Sequence, residues 1–146
     1  MKYSLLVLTS LLSAALVVGN DGTVPATYVS HEKVAAALAG GRGGLATGPD
    51  YIVIGLHRTA SGAAELHEKQ TDVYYVTDGE ATFVTGGELI GNKLISPGQR
   101  QGTGIEGGEV HHLTKGDVIV IPAGVPHWFK DVPHSISYLL VKVVKP

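Results

Sequence analysis

The segment between Gly116 and His127 constrains the fold more than any other part of the chain. It reads Gly-Asp-Val-Ile-Val-Ile-Pro-Ala-Gly-Val-Pro-His. The β-branched run 118–121 predicts a short strand, and the glycine and proline residues on both sides of it are typical of turns. The segment therefore predicts a strand, a tight turn and a second strand that begins at His127, which would hold one imidazole in a fixed place.

Composition limits both the fold class and the function. The chain has 146 residues, with 20 glycines, 7 prolines and many short apolar runs, which suits one all-β domain and leaves no room for a second. A formal net charge of -2, with 11 scattered Lys and Arg residues, argues against nucleic acid as a partner. The absence of cysteine excludes disulfides and thiolate chemistry, so histidine and carboxylate are the strong metal ligands that remain.

The N-terminus has the pattern of a secretory signal. Lys2 precedes an apolar stretch over 5–18, which is short for a membrane span but typical of the hydrophobic region of a signal peptide. We therefore predict a signal peptide over residues 1–19, with a membrane anchor as the alternative. The mature protein is then expected to be secreted or periplasmic and free of the membrane.

After the signal, the chain predicts an N-terminal segment, residues 20–50, followed by a barrel, residues 51–146. The segment contains a short helix over 31–38 that Ser30 can cap. The glycine-rich run 40–44 lacks the rest of a phosphate-binding motif and is interpreted as a flexible connector.

Alternating apolar residues predict short strands throughout the barrel region. A turn at Gly79-Glu80 is expected to separate two of them. The polar, glycine-rich stretch 88–108 is too long for a plain hairpin loop, so it is either a lid or rim of a binding site or a tolerated excursion. The predicted strands cover 51–58, 64–67, 73–76, 81–85, 109–114, 118–121 and 135–144.

The spacing of the first segment resembles a known family motif. Gly-x5-Pro-x-Gly-x2-His, ending at His127, resembles the second motif of the cupin superfamily, in which that histidine is a metal ligand inside a small β-barrel. Asp131 departs from the family pattern, since an asparagine is usual there. The resemblance implies an all-β fold, a double-stranded β-helix or jelly-roll barrel, here with a short N-terminal helix.

A degraded copy of the first cupin motif lies upstream. That motif reads His-x-His, three or four residues, Glu, six residues, Gly. Here Glu65-Leu66-His67 is followed after four residues by Asp72 and after six more by Gly79. His67 and Gly79 match, whereas carboxylates stand in place of the first histidine and the glutamate. Both replacements are oxygen ligands, so the resemblance implies a more anionic site that can still bind a metal.

In the cupin register, Glu65, His67 and Asp72 face into the barrel, and His127 approaches from the opposite sheet. Glu65, His67 and His127 then form a two-histidine, one-carboxylate set of the kind associated with non-haem Fe(II). Asp72 is a fourth ligand or, being one methylene shorter than glutamate, hydrogen-bonds a ligand instead. The predicted cofactor is a divalent metal ion, with Fe(II) or Mn(II) favoured over Zn or Ni.

Aromatic residues on the same strands predict a pocket for a small molecule. Tyr74, Phe129 and Tyr138 can line the barrel interior together, with plain core packing as the alternative. His111 is a further candidate near the site. Lys142 can also point inward, but no pattern in the sequence fixes its register.

Three functions are consistent with these features, since the fold alone does not choose among them. The first is a metal-dependent enzyme, dioxygenase-like or isomerase/lyase-like, that acts on a small oxygenated molecule. The second is a sugar- or metabolite-binding protein without turnover. The third is a structural barrel that acts through formation of a homodimer.

Overall fold

Over residues 23–144, the part of the chain that the computed structural model describes, one helix precedes a series of strands. The predicted signal peptide, residues 1–19, lies outside the described residues. No helix between residues 23 and 144 is long and apolar enough to cross a bilayer. The elements are α1, His31–Ala39, which extends the predicted helix by one residue; β1, Arg42–Thr47; β2, Tyr51–Arg58; β3, Ala64–His67; β4, Gln70–Thr85; β5, Glu88–Ile90; β6, Lys93–Ser96; β7, Gln99–Gly102; β8, Gly104–Glu106; β9, Glu109–Thr114; β10, Val118–Ile121; β11, His127–Asp131; and β12, Ile136–Val144.

One long strand, β4, joins the two halves of the barrel. Its first part lies in a sheet with the order β1-β2-β12-β4-β10, and its second part lies in a sheet with the order β9-β4-β11-β3-β7-β6. All these pairings are antiparallel, so the predicted all-β double-stranded β-helix is confirmed. Side chains that alternate toward the inside of both halves form one apolar core, which includes Val76, Phe83, Ile121, Ile136 and Tyr138.

The chain passes from one half to the other at Gly79. The predicted turn at Gly79-Glu80 is wrong, because residues on both sides of it belong to the single strand β4. Gly79 adopts a φ of 76°, and the N–H of Glu80 donates to the Ser135 carbonyl oxygen at 3.1 Å. A β-carbon at position 79 would lie 2.0 Å from that oxygen. Glycine is therefore required where β4 bends.

The glycine-rich run 40–44 contains the start of a strand. Arg42–Thr47 forms β1 and pairs with β2, which corrects the predicted flexible connector. A β-carbon on Gly43 would lie 2.7 Å from Ala37 Cβ, and one on Gly55 would lie 3.0 Å from the same atom. The glycines therefore let α1 lie directly against β1 and β2, and this packing orders the run.

The stretch 88–108 folds into four short strands. β7 pairs with β3 on one side and with β6 on the other, while β5 pairs with β8. Gln99 and Gln101 of β7 lie opposite His67 and Glu65 of β3. The stretch therefore forms one edge of the region where the predicted ligands lie, which corresponds to a rim.

Candidate metal centre

Two histidines and a glutamate meet where β3 lies beside β11. His127 is the register partner of Glu65, and His67 follows two residues after Glu65, so all three face the same side. Glu65 Oε2 lies 3.8 Å from His67 Nε2 and 4.0 Å from His127 Nε2. Ligand atoms of the three residues all lie within 4.8 Å of one another. This spacing and donor set suit a single divalent ion.

Hydrogen bonds orient both imidazoles so that their Nε2 atoms face the centre. His67 Nδ1 contacts Gln99 Oε1, and His127 Nδ1 lies 3.3 Å from the Val125 carbonyl oxygen. Both partners are oxygen acceptors, so in the neutral form each Nδ1 carries the proton and each Nε2 directs its lone pair toward the centre. His127 Nε2 is buried and has no hydrogen-bond partner among the described residues. A buried lone pair without a hydrogen-bond partner is the feature expected of a histidine that coordinates a metal ion.

Asp72 is engaged by a lysine whose register the sequence leaves open. Asp72 lies directly opposite Lys142 in the pairing of β4 with β12. Lys142 Nζ donates to Asp72 Oδ1 at 3.0 Å, to Oδ2 at 2.8 Å and to His67 Nε2 at 3.2 Å. The Tyr74 hydroxyl donates to Asp72 Oδ2 at 3.3 Å, and the Nε2 atoms of His67 and His127 lie 3.5 and 3.7 Å from it. Asp72 therefore borders the cluster while Lys142 balances its charge.

Burial and neighbouring charges set the protonation of these groups. Burial raises the pKa of Asp72, but the hydrogen bond with His67 and the charge and hydrogen bonds of Lys142 outweigh it and bring the pKa below its usual 3.8. Burial lowers the pKa of His127 below its usual 6.5, against the opposing charge of Asp72. Burial, together with the charge of Asp72, raises the pKa of Tyr74 well above 10.0. At neutral pH these groups are a carboxylate, a neutral imidazole and a phenol.

A cavity of about 440 Å³ lies against the cluster, within the range of small-molecule sites. The three predicted pocket residues, Tyr74, Phe129 and Tyr138, all line it. They also pack on one another: the ring centroids of Phe129 and Tyr138 are 5.2 Å apart in a stacked arrangement, and those of Tyr74 and Tyr138 are also 5.2 Å apart. The same rings thus form wall and core together, and their contact with a ligand stays a prediction.

Several lining residues are not among the predicted site residues, and they include Arg58, Gln99, Trp128 and Lys142. Arg58 continues the inward alternation of β2, and this pattern could have revealed it. Trp128 follows His127 directly, and its Nε1 donates to the Gly62 carbonyl oxygen at 2.7 Å. Gln99 and Lys142 give no local signal, because their positions depend on pairing between distant strands.

His111, the remaining candidate, lies outside the cluster, as do His112 and Asp131. His111 Nε2 is hydrogen-bonded to Thr85 Oγ1 at 2.8 Å, so the structure does not bring this imidazole to the metal ligands. His112 is exposed and lies 3.1 Å from a Glu80 carboxylate oxygen. Asp131 is exposed at the end of β11.

Comparison with known proteins agrees with this architecture. The sequence model of the family described as Cupin matches residues 54–143, a range that includes Glu65, His67, Asp72 and His127. No curated protein matches the chain.

Solved structures give the same fold at low sequence identity. A Bacillus halodurans protein superimposes with a TM-score of 0.60 at 14% identity, covering 84% of each chain. A Klebsiella pneumoniae uncharacterised conserved protein with a double-stranded β-helix domain superimposes with a TM-score of 0.50 at 20% identity, covering 70% of each chain. At these identities the similarity is one of fold, so function has to be argued from the site.

Proposed function

Because this chain belongs to the cupin family, whose single fold carries many chemistries, we propose its function from the site: it binds one divalent metal ion through Glu65, His67 and His127. The observation that carries this proposal is His127 Nε2, which is buried without a hydrogen-bond partner among the described residues and lies 4.0 Å from Glu65 Oε2. A buried imidazole lone pair that lies beside a carboxylate and a second imidazole is energetically unfavourable unless a cation binds it.

The donor set fits such an ion, with one local change. Lys142 Nζ donates to His67 Nε2, so this contact has to break before the same lone pair can bind a metal. Asp72 would stay paired with Lys142. It would thereby support the metal ligands without coordinating the metal itself. A two-histidine, one-carboxylate set with open positions favours Fe(II) or Mn(II), while Zn and Ni remain compatible with imidazole and carboxylate donors.

We further propose that the protein is an enzyme that acts on a small oxygenated molecule. When bound, the metal would supply Lewis-acid polarisation of a substrate oxygen or, if it is Fe(II), redox chemistry with dioxygen. The chain's own groups would orient the substrate: the aromatic wall of Tyr74, Phe129 and Tyr138 excludes water from the bound molecule. The Lys142 ammonium lines the same cavity and can donate to an anionic or oxygenated substituent.

Metal analysis of protein purified without a chelating tag tests the first proposal. We expect a single divalent ion per chain in the wild type and loss of that ion in His127→Ala, because one of only two imidazole ligands is removed. His112→Ala is the matched control, since that histidine is exposed and pairs with Glu80. A wild type without divalent metal, or a His127→Ala variant that retains it, would contradict the metal site.

Oxygen consumption and product analysis test turnover. Metal-loaded protein would be supplied with catechols, flavonoids and keto acids, and His127→Ala would be the inactive control. An alternative function, binding of a sugar or other metabolite without turnover, is favoured by the lining residues Gln70 and Gln99, whose amides can hydrogen-bond a ligand without a metal. Ligand binding without any product in the metal-loaded protein would support that alternative.

A further inference from the structure

We propose that the cavity binds its ligand through a carboxylate group and that Arg58 is the residue that recognises it. The proposal rests on the proposed function in that it assigns the ligand class of the same cavity. It requires neither the metal ion nor turnover. Arg58 lies at the end of β2 and lines the cavity together with Phe129 and Trp128.

The guanidinium of Arg58 occupies a place that the fold provides for it. Its central carbon lies 4.7 Å from the centre of the Phe129 ring, a cation–π contact that favours the position of the group over the ring. A β-carbon on Gly62 would lie 2.4 Å from Arg58 Nη1, so a side chain there would displace the guanidinium from this position. Gly62 is itself held by β11, since its carbonyl oxygen accepts from Trp128 Nε1 at 2.7 Å and its N–H donates to the Phe129 carbonyl oxygen at 3.3 Å.

One donor of this group lacks a partner within the described part of the chain. Arg58 Nε is buried and makes no hydrogen bond to the residues between 23 and 144. A buried guanidinium N–H left unpaired is unfavourable, and the Nε edge of arginine forms paired hydrogen bonds with a carboxylate. The position of Arg58 therefore suits an acidic group that the ligand brings.

The charge balance of the cavity agrees with an anionic ligand. Lys142 is balanced by Asp72, which leaves Arg42 and Arg58 against Glu65 among the described residues that line the cavity. Arg42 is the register partner of Leu56 on β2, so it faces the same side as Arg58, two residues further along. A bound divalent ion would add to this excess of positive charge.

Part of the cavity wall suits an apolar portion of the ligand. Ile54, Leu56 and Leu140 line this part, and their side chains offer no hydrogen bonds to a polyol. Phe129 and His127 lie two residues apart on β11 and face the same side, so they are about 7 Å apart along the strand. An acid held at Arg58 and lying across Phe129 would therefore extend toward the metal ligands.

Binding of benzoate and benzamide to metal-free protein tests the proposal, because the two probes have the same shape and differ in charge. Trp128 is the only tryptophan in the chain and lines the cavity, so its fluorescence reports binding, with calorimetry as a second measurement. We expect benzoate to bind at least about tenfold more tightly than benzamide. Arg58→Gln should remove this preference, whereas Arg100→Gln, which changes an arginine paired with Glu68 on the surface, should keep it.

Equal binding of the two probes by the wild type would overturn the proposal without any variant, as would no binding of either by calorimetry. An unchanged preference in Arg58→Gln protein with a native near-ultraviolet spectrum would overturn the role of Arg58. Tighter binding of phenylphosphonate than of benzoate would overturn the choice of carboxylate. Metal content is measured on separate metal-loaded samples, so failure of this proposal and failure of the metal site are distinguished.

Discussion

Lys142 lies directly opposite Asp72 in the pairing of β12 with β4, and its ammonium donates to both oxygens of a carboxylate that is fully buried. The same ammonium reaches His67 Nε2. A protein cation therefore stands beside the imidazole that is proposed to bind a metal cation, and the two compete for one lone pair.

Replacing Lys142 by Met is expected to have opposite effects on the metal-free and the metal-bound protein. The metal-free protein should lose about 3–5 kcal/mol of unfolding free energy, because a buried carboxylate is left unpaired. Affinity for Mn(II) or Zn(II) should rise by about tenfold or more, because a like charge is removed from the site. Urea unfolding and metal titration measure the two effects.

The control is the double variant Asp72→Asn with Lys142→Met, which should recover stability because no buried charge is left unpaired. An unchanged metal affinity in Lys142→Met would contradict the competition between Lys142 and the metal ion.

Gln99→Leu should weaken metal binding by about 10- to 100-fold, because Gln99 Oε1 is the acceptor that fixes the orientation of the His67 ring. Metal titration against a competing chelator measures the change. Gln101→Leu is the comparison on the same strand, since Gln101 touches Glu65 only through a long contact of 3.5 Å. Equal affinities of the two variants would show that the contact with His67 does not orient the ligand.

The stability of the metal-free protein should depend on pH through His127. Burial lowers the pKa of this imidazole below 6.5, so the unfolded chain takes up the proton more readily. The contribution of the neutral His127 imidazole to the free energy of unfolding is full above pH 6.5 and is lost as the pH falls toward the lowered pKa. Urea unfolding between neutral and mildly acidic pH measures this slope, which should be smaller in His127→Asn. Asp72 does not contribute in this range, because its pKa is lowered below 3.8 and its stabilisation is lost only below that value.

Gly79→Ala should destabilise the barrel by more than about 3 kcal/mol, because a positive φ is combined with a β-carbon against the Ser135 carbonyl oxygen. Gly124 has a φ of 83°, but a β-carbon added there would meet nothing within 4 Å, so Gly124→Ala should cost only about 1 kcal/mol of backbone strain. Thermal unfolding of the two variants separates strain from steric exclusion. Similar losses in both would mean that the backbone passes Ser135 with more room than 2.0 Å implies.

The precursor is expected to be cleaved near residue 19 and exported, because the apolar stretch after Lys2 matches a signal peptide. Mass spectrometry of the protein recovered from the medium or periplasm measures the mature N-terminus. Exported protein that still begins at Met1, or protein retained in membranes, would favour the anchor instead.

The parts of the site that could be predicted are those determined by residues that lie close together in the sequence. The turn and strand before His127 and the spacing from Glu65 to Gly79 are set by short-range backbone preferences, and alternation then gives the facing of each side chain. The helix could be located because the glycine that follows it is a local signal.

The parts that could not be predicted depend on strand pairing between distant segments. Lys142 faces Asp72 only because β12 adopts one register against β4, and a shift of one residue would turn it outward. Gln99 reaches His67 through β7, which forms from a stretch without a clear apolar pattern. A glycine such as Gly79 predicts a turn because a positive φ is typical of one, whereas hydrogen bonds to the segment before β12 carry the strand through the bend.

Since β4 runs unbroken through both sheets, the two walls of the cavity share a backbone and cannot separate by rigid-body motion about a hinge. The width of the cavity is therefore set by strand pairing, and the bend at Gly79 holds the two walls at one separation. The cavity should thus admit ligands by size, and the contacts inside it should determine the residence time.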